Sequence, residues 1–357
     1  MKRILEVLKY RNIETGFLYF YIHFITEVAC FYFLSNLIGD SVYLWLCPLI
    51  YDALAFVPQS IIGYLSDKIQ KINFGIIGII LLIIAIILFN FNIAFKFLPL
   101  IILCLGNACI HINGAEVTLK TSNGKLSHSA IFVAGGSFGV VTGKLLSSIN
   151  LHYIFIILLC LSAIPFVLYA EQYLQEKIKE GNAICSKFNY ASSKINKYLI
   201  VLLAVFVVIV RGYMGYGIPT SWNKTVIQTV LLYVFMGVGK AFGGIVSDVF
   251  GIKKTAILSA TLAVPFLLFG DNVMVVSLIG VMLFSMTMSI TLAILVSVLK
   301  RTPGLAFGLT TIGLFIGTIP IFIFKFTTVL SNSIIILILS FICVLVLNLI
   351  IKGDKDV

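Results

Sequence analysis

Twelve long apolar runs constrain this chain more than any other feature. They fall at about 13–38, 43–63, 72–91, 97–118, 127–147, 151–170, 197–217, 225–246, 255–270, 273–298, 305–326 and 331–351. A run of roughly 17 to 25 apolar residues is long enough to cross the hydrocarbon core as a helix. Spanning strands would show apolar–polar alternation over about ten residues, and these runs are continuous. Hydrophobic residues make up 60% of the chain and charged ones 11%, against about 25% charged in a soluble domain. So few charges could not cover so much apolar surface in water. The expected class is an all-α membrane protein with twelve transmembrane helices.

The net charge of +11 would suggest a nucleic-acid partner in a soluble protein. Here the basic residues sit between the apolar runs and report topology instead. With both termini placed in the cytoplasm, nineteen of the 25 Lys and Arg residues fall on the inner side, among them Lys2, Arg3, Lys9, Arg11, Lys68, Lys71, Lys253, Lys254, Lys300 and Arg301. The outer side keeps Lys96, Lys224 and Lys325, and Lys144, Arg211 and Lys240 lie within helices. That bias fixes the expected orientation and a cytoplasmic (inner) membrane location. The basic start is read as leading into a retained first helix rather than a cleaved signal peptide. The seven cysteines show no Cys-x-x-Cys spacing and lie mostly in apolar runs, which argues against a disulfide framework or a zinc site.

One long polar segment, 171–196, separates the sixth and seventh runs. It is expected to be a cytoplasmic linker, with a short surface helix at its start, between an N-terminal six-helix bundle (1–170) and a C-terminal one (197–357). A short repeat supports that division. Gly63-Tyr64-Leu65-Ser66-Asp67-Lys68 follows the second run, and Gly244-Ile245-Val246-Ser247-Asp248 follows the eighth. Asp67 and Asp248 are 181 residues apart (248 − 67), close to half of 357, the mark of two similar halves.

Twelve helices as six plus six, with a Gly-x-x-Ser-Asp loop at the same place in each half, resemble the major facilitator superfamily. The resemblance covers the whole chain and implies two bundles that rock around a central site. It also implies that Asp67 and Asp248 engage neighbouring helix ends and basic residues, such as Lys68, and help lock one face closed. Gly63 and Gly244 would permit close helix approach, with Ser66 and Ser247 completing the motif. The second copy departs from the first in having Val249 rather than a basic residue after its aspartate. The plainer reading is two ordinary turns, each with a helix-terminal aspartate. A second resemblance is carried by Gln59, by Gly106-Asn107-Ala108-Cys109-Ile110-His111-Ile112-Asn113-Gly114 and by Phe132-Val133-Ala134-Gly135-Gly136. These are similar to the fosmidomycin-resistance branch of exporters, which implies drug export driven by proton entry. The chain departs from the wider drug-antiporter pattern by having no arginine on the fourth helix.

Ionisable groups inside the bilayer cost at least roughly 2.5–3.5 kcal/mol each at its centre and ask for a reason. The first half holds His23 and Glu27, four apart and on one helix face, then Asp52, and His111 with Asn107, Asn113 and Glu116. The second half holds Arg211 and Lys240. Glu27 and Asp52 are candidates for carrying a proton, and His23 and His111 for relaying it. Arg211, Lys240, Asn107 and Asn113 are candidates for binding an anionic solute. The plainer reading pairs Glu27 or Asp52 with Arg211 or Lys240 as a static tie between bundles. Glu116 and Lys144 lie near helix ends and are expected to reach water.

Gly135, Gly139 and Gly143 recur every four residues on the fifth helix, and Gly313 and Gly317 stand 174 residues after the last two (313 − 139, 317 − 143). Small residues at this spacing allow close helix contact, either as a sliding surface between bundles or as static packing.

These features describe a secondary transporter of a small organic solute, coupled to protons and exporting an anionic compound or drug. Uptake of a nutrient is the other direction the sequence allows. No Gly-x-x-x-x-Gly-Lys-Ser/Thr segment occurs, which argues against ATP as direct energy source. A membrane enzyme would need a catalytic or metal cluster, and His23, His111, His128 and His152 are dispersed along the chain. A sensor would favour a sizeable soluble segment, and 171–196 is the longest. Beyond the solute, protons and the lipid bilayer, no cofactor, metal or nucleic-acid partner is expected, and the unit is expected to be a monomer.

Overall fold

The computed structural model describes residues 14–39, 47–69, 71–91, 97–181, 185–323 and 329–353. Over these the chain forms helices joined by short connections. They are α1 (Glu14–Gly39), α2 (Cys47–Lys68), α3 (Phe74–Asn90), α4 (Phe97–Thr121), α5 (Ser127–Ser148) and α6 (Tyr153–Lys179), followed by α7 (Lys197–Gly217), α8 (Val226–Phe250), α9 (Ile252–Phe269), α10 (Met274–Val298), α11 (Pro303–Ile323) and α12 (Val329–Ile350). Eleven are long and apolar enough to cross a membrane, and α3 is a shorter apolar helix. Two are broken in the middle. In α2 the pieces Cys47–Phe56 and Pro58–Lys68 meet at Val57, because proline has no N–H for the preceding turn. In α10 the break lies at Met286, whose N–H bonds three residues back to the Leu283 carbonyl (3.2 Å).

The all-α, twelve-helix class is as the sequence indicates, and several boundaries differ. The Gly-x-x-Ser-Asp segments are helical rather than loops, since α2 runs through Lys68 and α8 through Phe250. α6 likewise continues to Lys179, beyond the apolar run that ends at 170. Its last turns carry Glu171, Glu176 and Lys177, good helix formers, and Lys177 reaches Glu180 at 2.9 Å. The first stretch of the polar segment is therefore helix.

The halves are packed alike. α1 lies along α5 in the first six helices and α7 along α11 in the second six. The glycine stripes sit inside these pairs. A Cβ on Gly135, Gly139 or Gly143 would strike the α1 backbone at Phe20, Phe24 or Val28, and one on Gly317 would strike Ile209 of α7. The contact is internal to each half, so the sliding surface between bundles is not what these glycines form. Between the halves, α2 lies against α11 and α5 against α8.

At the end carrying Asp67 and Asp248, the connection before α7 is strapped to several helix ends. The Tyr190 hydroxyl donates to the Gly124 carbonyl (2.6 Å), and its N–H donates to Ser297 Oγ (3.0 Å). Ala191 pairs with Ile351 in a single antiparallel bridge, flanked by Ser192 N–H to Ile350 O and Lys352 N–H to Tyr190 O, each 2.8 Å.

Candidate functional site

Asp67 and Asp248 make the same contact in opposite directions. Asp67, in the last turn of α2, accepts the N–H groups of Gly304 (3.1 Å) and Leu305 (2.9 Å) at the start of α11. Asp248, in the last turn of α8, accepts those of Leu126 and Ser127 (2.9 Å each) at the start of α5. A carboxylate at the C-terminal end of its own helix opposes that helix's dipole. Each one instead satisfies two orphan donors and the positive end of a helix in the other half. Close approach makes this possible. A Cβ on Gly63 would meet the Gly304 carbonyl, and one on Gly244 would meet Ala130 and Leu126.

The other members of the motif face inwards or to solvent. Ser66 donates to Glu116 Oε2 (2.5 Å), whose Oε1 accepts from Lys120 (3.2 Å). Glu116 is thus buried beneath α2 and does not reach water, unlike Lys144, which is exposed. Ser247 bonds back to Gly243 O (2.6 Å). Lys68 is exposed and lies 5.7 Å from the Tyr64 ring, so it does not pair with Asp67.

A second cluster lies between α1 and α4. The His23 and His111 rings meet edge to face with centroids 4.4 Å apart, so two of the histidines that the sequence disperses are neighbours. His23 Nδ1 donates to the Phe132 carbonyl and His111 Nδ1 to the Asn107 carbonyl, each at 2.9 Å. A carbonyl oxygen only accepts, which assigns the hydrogen to Nδ1 in both rings. Both Nε2 atoms then face Glu27 Oε1, at 3.8 Å from His23 and 3.4 Å from His111. The Asn107 amide steadies the same oxygen (2.9 Å) and also reaches Tyr51 Oη (3.2 Å) and Cys30 Sγ (3.4 Å). Two imidazole nitrogens and a carboxylate oxygen converging on one point form an electron-rich arrangement that a cation relieves. Gly136 is required beside it, because any Cβ there would enter the His23 ring.

Each helix contributes a pair four residues apart: His23 with Glu27 on α1, Asn107 with His111 on α4. The spacing within each helix is visible in the sequence, whereas the meeting of the two helices is not. Phe307 of α11 closes the cluster from the other half, with ring centroids 6.4 Å from His111 and 6.0 Å from Phe132. Asn113 is elsewhere: it accepts from the Tyr19 hydroxyl and donates to Glu171 (3.4 Å), within the first half.

Asp52, buried in the first piece of α2, accepts from the Tyr216 hydroxyl of α7 at 3.5 Å. Lys240 on α8 donates to Ser137 of α5 at 2.8 Å. Arg211 is buried on α7, and its Nη1 has no hydrogen-bond partner. Among the described residues neither Arg211 nor Lys240 pairs with Glu27 or Asp52, so the static ionic tie between bundles is not formed.

This fold is the one found in transporters of the major facilitator superfamily. A crystal structure of one of them, FucP in the outward conformation, aligns with a TM-score of 0.58 at 11% identity, covering 91% of this chain and 97% of that one. A crystal structure of a variant of the E. coli fucose:proton symporter FucP aligns with a TM-score of 0.53 at 12% identity over the same shares. No protein-family model matches the sequence, and no curated protein sequence matches it.

Proposed function

We propose that the chain is a secondary transporter that moves a small organic solute across the cytoplasmic membrane by alternating access, with both termini in the cytoplasm. The observation that carries this reading is the reciprocal pair of caps, Asp67 on α11 and Asp248 on α5. Each bridges the halves at the same end, so both must release before that end can open. A capping carboxylate contributes about 1–2 kcal/mol. Two of them bias the closed state by roughly 2–4 kcal/mol, a difference that a solute's preference for one state can overcome. The lysine distribution makes this the cytoplasmic end, and its closure agrees with likeness to a structure in an outward conformation.

The remaining charges divide the labour. Arg211 and Lys240 attract an anionic solute. Asp52 carries the coupling proton, because its hydrogen-bond partner, Tyr216, belongs to the other half and separates from it when the halves move. Export is the direction supported by the stretches on α4 and α5 that are similar to the fosmidomycin-resistance branch. Counterflow in proteoliposomes, with a panel of labelled organic anions and neutral solutes, tests the reading. Trans-stimulated uptake of at least one anion is expected, and absence of exchange for every solute, anionic or neutral, would overturn it.

A further inference from the structure

We propose that His23, Glu27 and His111 form a binding site for one divalent transition-metal ion of the zinc class. One ligand atom from each residue lies within 4.8 Å of the other two. Zinc bonds to imidazole nitrogen and carboxylate oxygen of about 2.0–2.2 Å place tetrahedral donors roughly 3.3–3.6 Å apart. The observed separations from Glu27 Oε1 are 3.4 Å to His111 and 3.8 Å to His23, close to those of a coordinated ion, and the edge between the two imidazoles, within 4.8 Å, would shorten on binding.

The surroundings are those of a ligand set already oriented. Each imidazole donates its Nδ1 hydrogen to a backbone carbonyl, which fixes the ring and leaves Nε2 as the coordinating atom. Asn107 holds the carboxylate in place, and its own Oδ1 is a buried acceptor without a partner. Two imidazoles and one carboxylate suit zinc and its first-row neighbours, whereas magnesium and calcium select oxygen donors. Three protein ligands leave a fourth position open. A divalent ion would also turn the site from net negative to net positive, providing a seat for an oxygen of an anionic solute.

The test is a titration of purified full-length protein, free of any polyhistidine tag, with Co²⁺ as a spectroscopic probe. The wild type is expected to bind one equivalent, with a visible d–d band that Zn²⁺ abolishes and a hundredfold excess of Mg²⁺ leaves intact. His23→Asn, His111→Asn and Glu27→Gln should each weaken binding at least tenfold, whereas His152→Asn, at the start of α6, should not change it. X-ray absorption of the zinc-loaded wild type should show two imidazole ligands, which keeps the test decisive if a variant does not fold. A wild type without saturable Co²⁺ or Zn²⁺ binding, binding unchanged in all three variants, or a spectrum without imidazole ligands would overturn the proposal. None of these readouts needs transport, so their failure would leave the transporter reading standing.

Discussion

The Asp248 carboxylate on α8 accepts the backbone N–H of Ser127 at the start of α5 from 2.9 Å. Its counterpart, Asp67 on α2, accepts that of Leu305 at the start of α11 from the same distance. Each half caps the other once, in mirrored fashion, and both caps are made to backbone N–H groups. The first consequence is that charge matters more than geometry. Asp67→Asn and Asp248→Asn keep an acceptor but lose the interaction with the helix dipole. Each should shift the equilibrium toward the open state by about 0.3–1 kcal/mol, or roughly two- to fivefold. Hydrogen–deuterium exchange should rise in 303–307 for Asp67→Asn and in 126–130 for Asp248→Asn, with the double variant affected at both. Unchanged exchange in all three would remove the caps as a gate.

Glycines in the two kinds of contact should behave differently when enlarged. Gly143 packs against the Val28 carbonyl within one half, a contact that must persist in every state. Gly143→Val should therefore lower thermal stability by about 1–3 kcal/mol. Gly63 meets the Gly304 carbonyl across the halves. Gly63→Val should leave melting temperature nearly unchanged and instead hold the Asp67 end open, measured by exchange at 303–307. Equal losses of stability in both variants would contradict that distinction.

Asp52 separates coupling from exchange. It is buried, its partner Tyr216 lies 3.5 Å away across the halves, and the other ionisable groups bearing on it are Glu27 and Cys104. Asp52→Asn mimics the protonated carboxyl permanently. Accumulation driven by a pH gradient should fall to background, while solute counterflow, which needs no net proton movement, should stay within about threefold of wild type. Gradient-driven accumulation at the wild-type level would clear Asp52 of this role.

The parts of this architecture that depend on one helix at a time were legible in the sequence. Run length gave the helices, and the recurrence of Gly63–Asp67 at Gly244–Asp248 marked two helix ends that make the same kind of contact. What was not legible depends on which faces meet. His23 and His111 lie 88 positions apart (111 − 23), and nothing in either helix states that α1 and α4 present them to one another. Glu116 reads as a helix-end residue in the sequence, but α2 lies over it and Ser66 takes it out of reach of water. The glycine stripe on α5 carries a periodicity that any tightly packed neighbour would satisfy. Only the position of α1 shows that the neighbour is internal to the half. The aspartate motifs read as loops in the sequence because a polar Ser-Asp pair ends an apolar run, although a helix can continue past the membrane face.

Arg211 offers the sharpest separation of function from structure. A buried guanidinium whose Nη1 has no partner costs stability, since the charge has left water without full compensation. If its purpose were to hold the fold together, Arg211→Gln should destabilise the protein and affect all solutes alike. If its purpose is to receive an anion, the same change should leave the melting temperature unchanged or raise it. It should also weaken affinity for anionic solutes about tenfold, corresponding to roughly 1.4 kcal/mol of lost charge interaction. Neutral solutes of similar size should change less than about threefold. Thermal unfolding together with counterflow competition by an anionic and a neutral solute reads both quantities from one preparation. Stability is the arm that decides, because a residue that improves the fold when removed is being retained for something the fold does not need.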